Sequence, residues 1–560
     1  MHASRVRGPR LRVRSALVFA AVVSTFAPDA RAGGFEIPDN GAQALARGGA
    51  FVAKADDGTA IYHNPAGFAR QRGTRLFGGG NLVLHSFSFQ RSGEFPDDPN
   101  DPATPWGGKP FPLVRNAGGP FFAPFAALST DFGTFDRFTM AIGAFGPPAV
   151  GNRTFPLGVA QAPAASRYDF IQSRSTIIYP TTALAYRVTP WLDLGVSAHL
   201  VLSKFDQTTV SFTDISQDDC PNPEYQPCDS RSTLQAKATS FAATFGAIVR
   251  PAPSYAFGLT VKTPVSVDAQ GTLTSLRPPS EGQAFLSTRL PLVVRAGGRY
   301  ISMAGNFEVY DLELDITYEG WGAAQGDGPR IVVPELGALK NIETLVVHGY
   351  RDTFGVRGGG AYNMEAWDGV VSVRGGAYFD SSATDFRYTR LDFDTLAKIA
   401  GTLGIGYRHG AFSFDISYAA IASINRVVGV GQGDVRPVNG AKNGRPLDNA
   451  GDLLPAVNEG AYRGFTNLFS FGMSVTFDEL FGPMRPVHFG NTYEPGYAAS
   501  SDELAADREK QDDERDRDRD RDRDRERERE KDRDTSEKPD EEPKPDSGKP
   551  PEKKKDWWDD

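Results

Sequence analysis

The feature that most restricts how this chain can fold is a two-residue period. From Trp191 to Ser203, Leu192, Leu194, Val196, Ala198, Leu200 and Leu202 alternate with Asp193, Gly195, Ser197, His199 and Ser203. Successive side chains of a strand point to opposite faces, so such a segment has one apolar and one polar side. Residues 412–420 repeat the pattern, with Phe412, Phe414, Ile416 and Tyr418 against Ser413, Asp415 and Ser417, and so do residues 465–477. No segment after the leader reaches the roughly 18 consecutive apolar residues of a membrane helix. If the chain spans a membrane it must therefore close into a barrel, the other structure that leaves no backbone group unpaired in lipid.

The first residues direct the chain out of the cytoplasm. Arg5, Arg7, Arg10, Arg12 and Arg14 form a basic region, Ala16 to Ala27 an apolar one, and Ala30-Arg31-Ala32 a small-x-small cleavage site, so residues 1–32 read as a signal peptide. Cys220 and Cys228, the only two cysteines, sit in a Pro-, Asp- and Asn-rich stretch. In an exported chain a loop disulfide is expected over free thiols, and two cysteines are too few for a structural zinc site. The net charge of -9 argues against nucleic acid as a partner. No cofactor is expected.

Alternating segments lie near residues 75–91, 120–131, 136–147, 168–187, 191–208, 233–250, 255–274, 290–302, 306–319, 349–363, 369–380, 399–408, 411–427 and 462–477. Very short joins alternate with long loops rich in Gly, Pro and Asp at 92–119, 209–232, 320–348 and 428–461. Bacterial barrels have short periplasmic turns, long exterior loops and an even strand number. The expectation is thus an all-β fold, a fourteen-stranded antiparallel transmembrane barrel over residues 74–477. Merging or splitting one hairpin gives twelve or sixteen strands. The last strand ends on Phe477, which resembles the aromatic signal read by the barrel assembly machinery, although the chain continues to residue 560.

Residues 33–73 precede the barrel and are rich in small residues from Ala42 through Ala60. Within them, Pro65 fixes its own φ and biases Asn64 towards extended geometry, while Gly67 lets the chain turn back, so Asn64-Pro65-Ala66-Gly67 reads as a fixed kink. A small-residue segment with such a kink, placed ahead of a large barrel, is expected to plug it. Residues 478–560 are different. Asp-Arg and Glu-Arg dipeptides run from Asp507 to Asp534 with no apolar face, so a disordered periplasmic tail or a solvated helix is expected.

Gly34-Phe35, the segment through Gly48, Ala50, Ala55, Asp56, Asp57 and Ala60, and the Asn64-Pro65-Ala66-Gly67 kink resemble the amino-terminal hatch of the FadL family of outer-membrane transporters for long-chain fatty acids and other hydrophobic compounds. TALAYRVTPWLDLGVSAHLVLSKF, YAFGLTVKTPVSVDAQGTL, LPLVVRAGGRY and DTFGVRGGGAYNMEAWDGVVSVRGGAYFDSS resemble that family's strand pairs, in order. The loop cysteines, the glycine-rich strands and the charged tail depart from the pattern. The resemblance implies a monomer in the outer membrane of a Gram-negative cell, in contact with its lipid. Hydrophobic molecules, long-chain fatty acids first and aromatic hydrocarbons or other lipids as the alternative, would diffuse passively through a hatch-gated lateral opening.

Candidate ligand contacts on this view are Phe35, Phe121, Phe122 and Phe125, with Phe95, Trp106, Phe111 and Trp321 as further capture residues or, equally, parts of an interfacial aromatic girdle. In the strand from Asn306, Asp311, Glu313, Asp315 and Glu319 share the inward face. Arg295, Arg299, Arg351, Arg357 and Arg374 on neighbouring strands are expected to brace the wall against them, one remaining for a substrate carboxylate. Two other classes compete. A general porin would have no plug. An outer-membrane lipid hydrolase would need a Ser-His-acid cluster, for which His199 beside Ser197 is the nearest approach.

Overall fold

The computed structural model describes residues 40–481 apart from Thr134, 147–151, 213–219, Pro221, Pro223, Pro278, Asp327, 440–441, 443–444 and 448–450. The signal peptide, Phe35 and the charged tail lie outside the described residues.

The alternating segments form a ring of fourteen antiparallel strands. In chain order these are β1 (Arg75–Arg91), β2 (Phe121–Thr130), β3 (Phe138–Phe145), β4 (Thr176–Thr189), β5 (Leu192–Phe212), β6 (Asp229–Ala252), β7 (Tyr255–Lys262 and Val265–Leu276), β8 (Pro279–Leu290 and Val293–Ala304), β9 (Phe307–Glu319), β10 (Thr353–Ala366), β11 (Gly369–Asp380), β12 (Lys398–His409), β13 (Phe412–Ser423) and β14 (Gly460–Thr476). β14 closes the ring on β1, in register from Arg75↔Thr476 to Arg91↔Gly460. Closure leaves no strand edge facing lipid.

β7 and β8 are each broken once, at Thr263-Pro264 and Pro291-Leu292. Proline has no N–H to give to a ladder, so the wall is interrupted at both points. The loop-side halves pair with each other, and Phe285, Leu286 and Ser287 also pair with a rim hairpin, Arg330–Leu336 and Leu339–Leu345. The first half of β8 and this hairpin fall in stretches expected to be loop. Pro278-Pro279, Pro334 and Gly337 supply the turn chemistry that makes them read so.

Period two sorts the faces. Leu312, Leu314 and Ile316 of β9 are exposed on the outside, as are Leu403, Ile405 and Ile416 of β12 and β13. Tyr255, Tyr300 and Tyr310 follow one another at the turn end, with ring centroids 5.5 and 6.2 Å apart, in the manner of an interfacial girdle. Asp193, Ser197, His199, Asp311, Glu313 and Asp315 are buried on the inside. The N-terminal residues supply what buries them. Helices α1 (Ala42–Ala46) and α2 (Ala60–His63) and a 3-10 turn (Pro65–Arg70) are almost wholly buried, and Phe51, Ile61 and Phe68 share one apolar cluster with the wall residues Phe125, Phe145, Tyr179 and Ile248.

Candidate functional site

The inward acids of β9 hold the N-terminal segment. Arg47 donates to both oxygens of Asp311 at 2.8 and 2.6 Å and reaches Glu313 at 3.2 Å. Asp315 accepts the backbone N–H groups of Phe51 and Val52, at 2.8 and 3.0 Å, and Glu313 accepts that of Ala53 at 2.7 Å. These carboxylates therefore meet unpaired amides of a segment that has too little regular structure to satisfy them itself. Arg299 completes the cluster, donating to Asp311 at 2.7 Å and Glu308 at 2.5 Å. Further round the wall Arg357 pairs with Asp380 at 3.0 Å, and Arg374 with Asp415 at 2.5 Å and Gln43 at 3.1 Å. Arg295 donates to the Tyr62 hydroxyl at 3.1 Å and lies over its ring, while Arg351 pairs with Asp385 in a loop. Glu319 accepts from the Trp321 indole at 2.7 Å.

The kink sits in a cradle of glycine. Asn64 is extended, with φ -159°, and its Oδ1 accepts the Ala66 N–H at 3.1 Å. Its Nδ2 donates to Val52 O at 2.8 Å and to Ala247 O, in β6, at 3.2 Å. A Cβ on Gly195 would fall 2.3 Å from the backbone of Pro65 and Ala66, and one on Gly246 would fall 2.1 Å from Asn64 Oδ1. Only glycine permits so close a backbone approach. On the turn side of this segment, Asp57 lines a polar vestibule with Lys54, Asp56 and Arg374. Burial, with Asp56 next to it, pushes the Asp57 carboxyl up to about 6 despite two hydrogen bonds from Thr59.

Beside the kink lies an aromatic chamber, filled by its own buried side chains. Phe145 is 5.3 Å from Tyr62, 5.1 Å from Tyr179, 5.8 Å from His199 and 6.2 Å from Phe125, ring centre to ring centre. His199 is hydrogen bonded through both ring nitrogens to threonine hydroxyls, Thr181 at 2.8 Å and Thr244 at 2.9 Å. The wall here is thin. The β4–β5 ladder is in register at His199↔Thr181 and again at Leu202↔Ile178, but it is not formed at Tyr179 and Pro180 between them. A groove at this level is lined by Leu128, Ile142, Thr182 and Ala198 from outside and by Thr181 and His199 from inside.

Towards the loop end a separate cavity is walled by Ile177, Phe205, Val267, Leu286, Leu290 and Tyr350. The Trp321 ring, in helix α3 (Trp321–Gln325), stacks on Tyr350 at 5.2 Å.

Residues 20–430 match the family model described as "Outer membrane protein transport protein (OMPP1/FadL/TodX)". The chain belongs to that family. It is thus an outer-membrane transport protein. No curated protein matches it. Among solved structures, a Pseudomonas aeruginosa FadL homologue is similar at TM-score 0.61 and 16% identity, with 80% of this chain and 100% of that one covered. The Pseudomonas putida toluene transporter TodX is similar at 0.56 and 13%, covering 79% and 99%, and the Ralstonia pickettii toluene transporter TbuX at 0.54 and 15%, also covering 79% and 99%. At these identities the structures establish the fold that this family member shares.

The family member's aromatic candidates separate. Phe121 and Phe125 are on the inward face of β2, with Phe125 in the chamber, whereas strand parity turns Phe122 out to the lipid side, stacked on Phe471 at 6.0 Å. Phe122 is therefore corrected from a ligand contact to a wall residue. Phe95, Trp106 and Phe111 are buried together in a loop cluster, with Arg91 over Phe111 and the Trp106 indole donating to Asp97 at 2.9 Å. Cys220 and Cys228 are joined as a disulfide, their Cα atoms 6.1 Å apart, and pack on Tyr168, Phe212 and Val435. The aromatic chamber itself was not legible in sequence, since Tyr62, Phe145, Tyr179 and His199 come from four separate elements.

Proposed function

We propose that this protein takes up hydrophobic molecules across the outer membrane by passive diffusion. The molecule enters the loop-end cavity, passes to the aromatic chamber beside the kink, and leaves sideways through the thin wall at Pro180. Residues 33–73 are the hatch, with Asn64, Pro65, Ala66 and Gly67 as its gating kink, and the turn end with the charged tail faces the periplasm. The observation that carries the reading is that the N-terminal segment fills the lumen against β5, β6 and β9 while the wall beside it lacks β4–β5 pairing at Tyr179 and Pro180, which stay paired to β3 alone. An apolar guest is favoured in such cavities at about 0.8 kcal/mol per buried methylene. No catalytic role is assigned, because His199 is engaged by two threonines and its Ser197 neighbour points into the same packed wall. Fatty acids and aromatic hydrocarbons both suit the apolar walls.

The test is uptake of a labelled hydrophobic compound by cells carrying the Asn64→Ala, Pro65→Ala double variant. Uptake falls while the barrel keeps its heat-modifiable mobility on a gel. Unchanged uptake contradicts a gating hatch.

A further inference from the structure

Polar groups at one end of the loop-end cavity decide what an apolar guest can carry into it. Among the described residues that line it there is no lysine or arginine. His348 lines it, but Nε2 is engaged with Asp392 Oδ2 at 2.7 Å and Nδ1 with Val346 O at 2.8 Å, so neither nitrogen is left for a guest. Arg390, behind Asp392, turns to Asp169 at 3.0 Å. Burial alone would raise the Asp392 carboxyl, but His348 and Arg390 bring it down to about 2, so Asp392 is the counter-ion of these two groups and the cluster has no cation left over for a guest.

Gln325 supplies the second observation. Its amide nitrogen donates at 2.6 Å to Arg289 O, in a residue that pairs with Ser266 on one side and lies beyond the Phe285 to Ser287 pairing with the rim hairpin on the other. That bond fixes the amide orientation. The remaining oxygen, Oε1, is buried and accepts no hydrogen bond from the protein, in a side chain that lines both this cavity and the polar groove beside Ser266 and Arg289. A buried acceptor without a donor is unfavourable, and a guest that brings a donor removes the deficit.

We propose that the loop-end cavity binds an uncharged, hydrogen-bond-donating amphiphile, such as a long-chain alcohol, in preference to the anionic form of a fatty acid. A hydroxyl donates to Gln325 Oε1 while its chain lies along Val267, Leu286 and Leu290. A carboxylate at the same place gives up its hydration without meeting a free cation, the His348 ring and Arg390 being held by Asp392 and Asp169. The proposal rests on the transport reading and adds the class of molecule admitted at the first station.

The experiment is scintillation-proximity binding of tritiated 1-dodecanol, dodecanoate and dodecane to the detergent-purified protein at pH 8. Three forms are compared: the unaltered chain, Gln325→Leu and Leu286→Trp. Dodecanol binds at least about tenfold more tightly than dodecanoate, as expected where a charge is buried unpaired. Gln325→Leu reduces that ratio by weakening dodecanol while dodecane is unchanged, and Leu286→Trp weakens dodecanol and dodecane together. Dodecanoate binding as tightly as dodecanol, or a ratio untouched by Gln325→Leu, overturns the proposal while dodecane binding leaves the transport reading in place. Binding of none of the three by a folded barrel overturns both.

Discussion

Arg47 shows how much rests on single charges in this lumen. Its guanidinium is fully buried and bonded to Asp311 and Glu313, from a residue 264 positions away in sequence. Arg47→Met leaves those carboxylates short of a buried cation, at a cost of about 3 kcal/mol to the docked N-terminal segment, the lower part of the range for breaking a buried pair because Arg299 remains on Asp311. Hydrogen exchange of residues 43–56 in folded barrel then rises, and exchange equal to the unaltered protein contradicts this assignment. The two-residue period told which side of β9 the acids face, because parity is local. It could not tell their partners. Arg299 was legible as one, but Arg47 and the Phe51 to Ala53 amides come from a distant segment whose position depends on the whole ring. Asp57 makes a pH prediction. Its folded value, about 6, lies above the usual carboxylate value, so its contribution to docking of the N-terminal segment is full below about pH 4 and is lost as pH rises through 6. Exchange at residues 55–60, corrected for intrinsic rate, is accordingly faster at pH 7.5 than at pH 5, and the reverse order contradicts it.

At the scale of elements, the glycine-rich strands find their reason. Inward positions Gly195, Gly359 and Gly376 are where the N-terminal backbone touches the wall, Gly246 is where the Asn64 side chain does, and any Cβ there would collide with it. The sequence displays the glycines, but only lumen geometry says that they are spaces left for another segment. Gly246→Leu displaces Asn64 while leaving the β5–β6 ladder intact, so purified barrel in a planar bilayer acquires steady conductance that the unaltered protein lacks; a silent Gly246→Leu barrel contradicts the cradle. The strands themselves were largely legible, because fourteen periods of alternation with short and long joins have few ways to close. The first half of β8 and the rim hairpin were not, since their prolines and glycines read as loop, while backbone pairing with a distant neighbour made them strand.

On the scale of the whole molecule, a sealed ring, a segment filling it and a thin place in the wall beside that segment together support the proposed lateral route, which does not cross the turn-side vestibule. The vestibule is lined by Lys54, Asp56, Asp57, Arg70, Arg374 and Asp415, a poor surface for an oily molecule, whereas the groove at Pro180 is lined by small and apolar side chains. The most direct measurement is photo-crosslinking in outer membranes with a diazirine-bearing long-chain alcohol, the adducts mapped by mass spectrometry. The lateral route predicts adducts on Thr181, Thr182 and Ala198; adducts confined to vestibule residues such as Asn363, Ser372 and Arg374 contradict it.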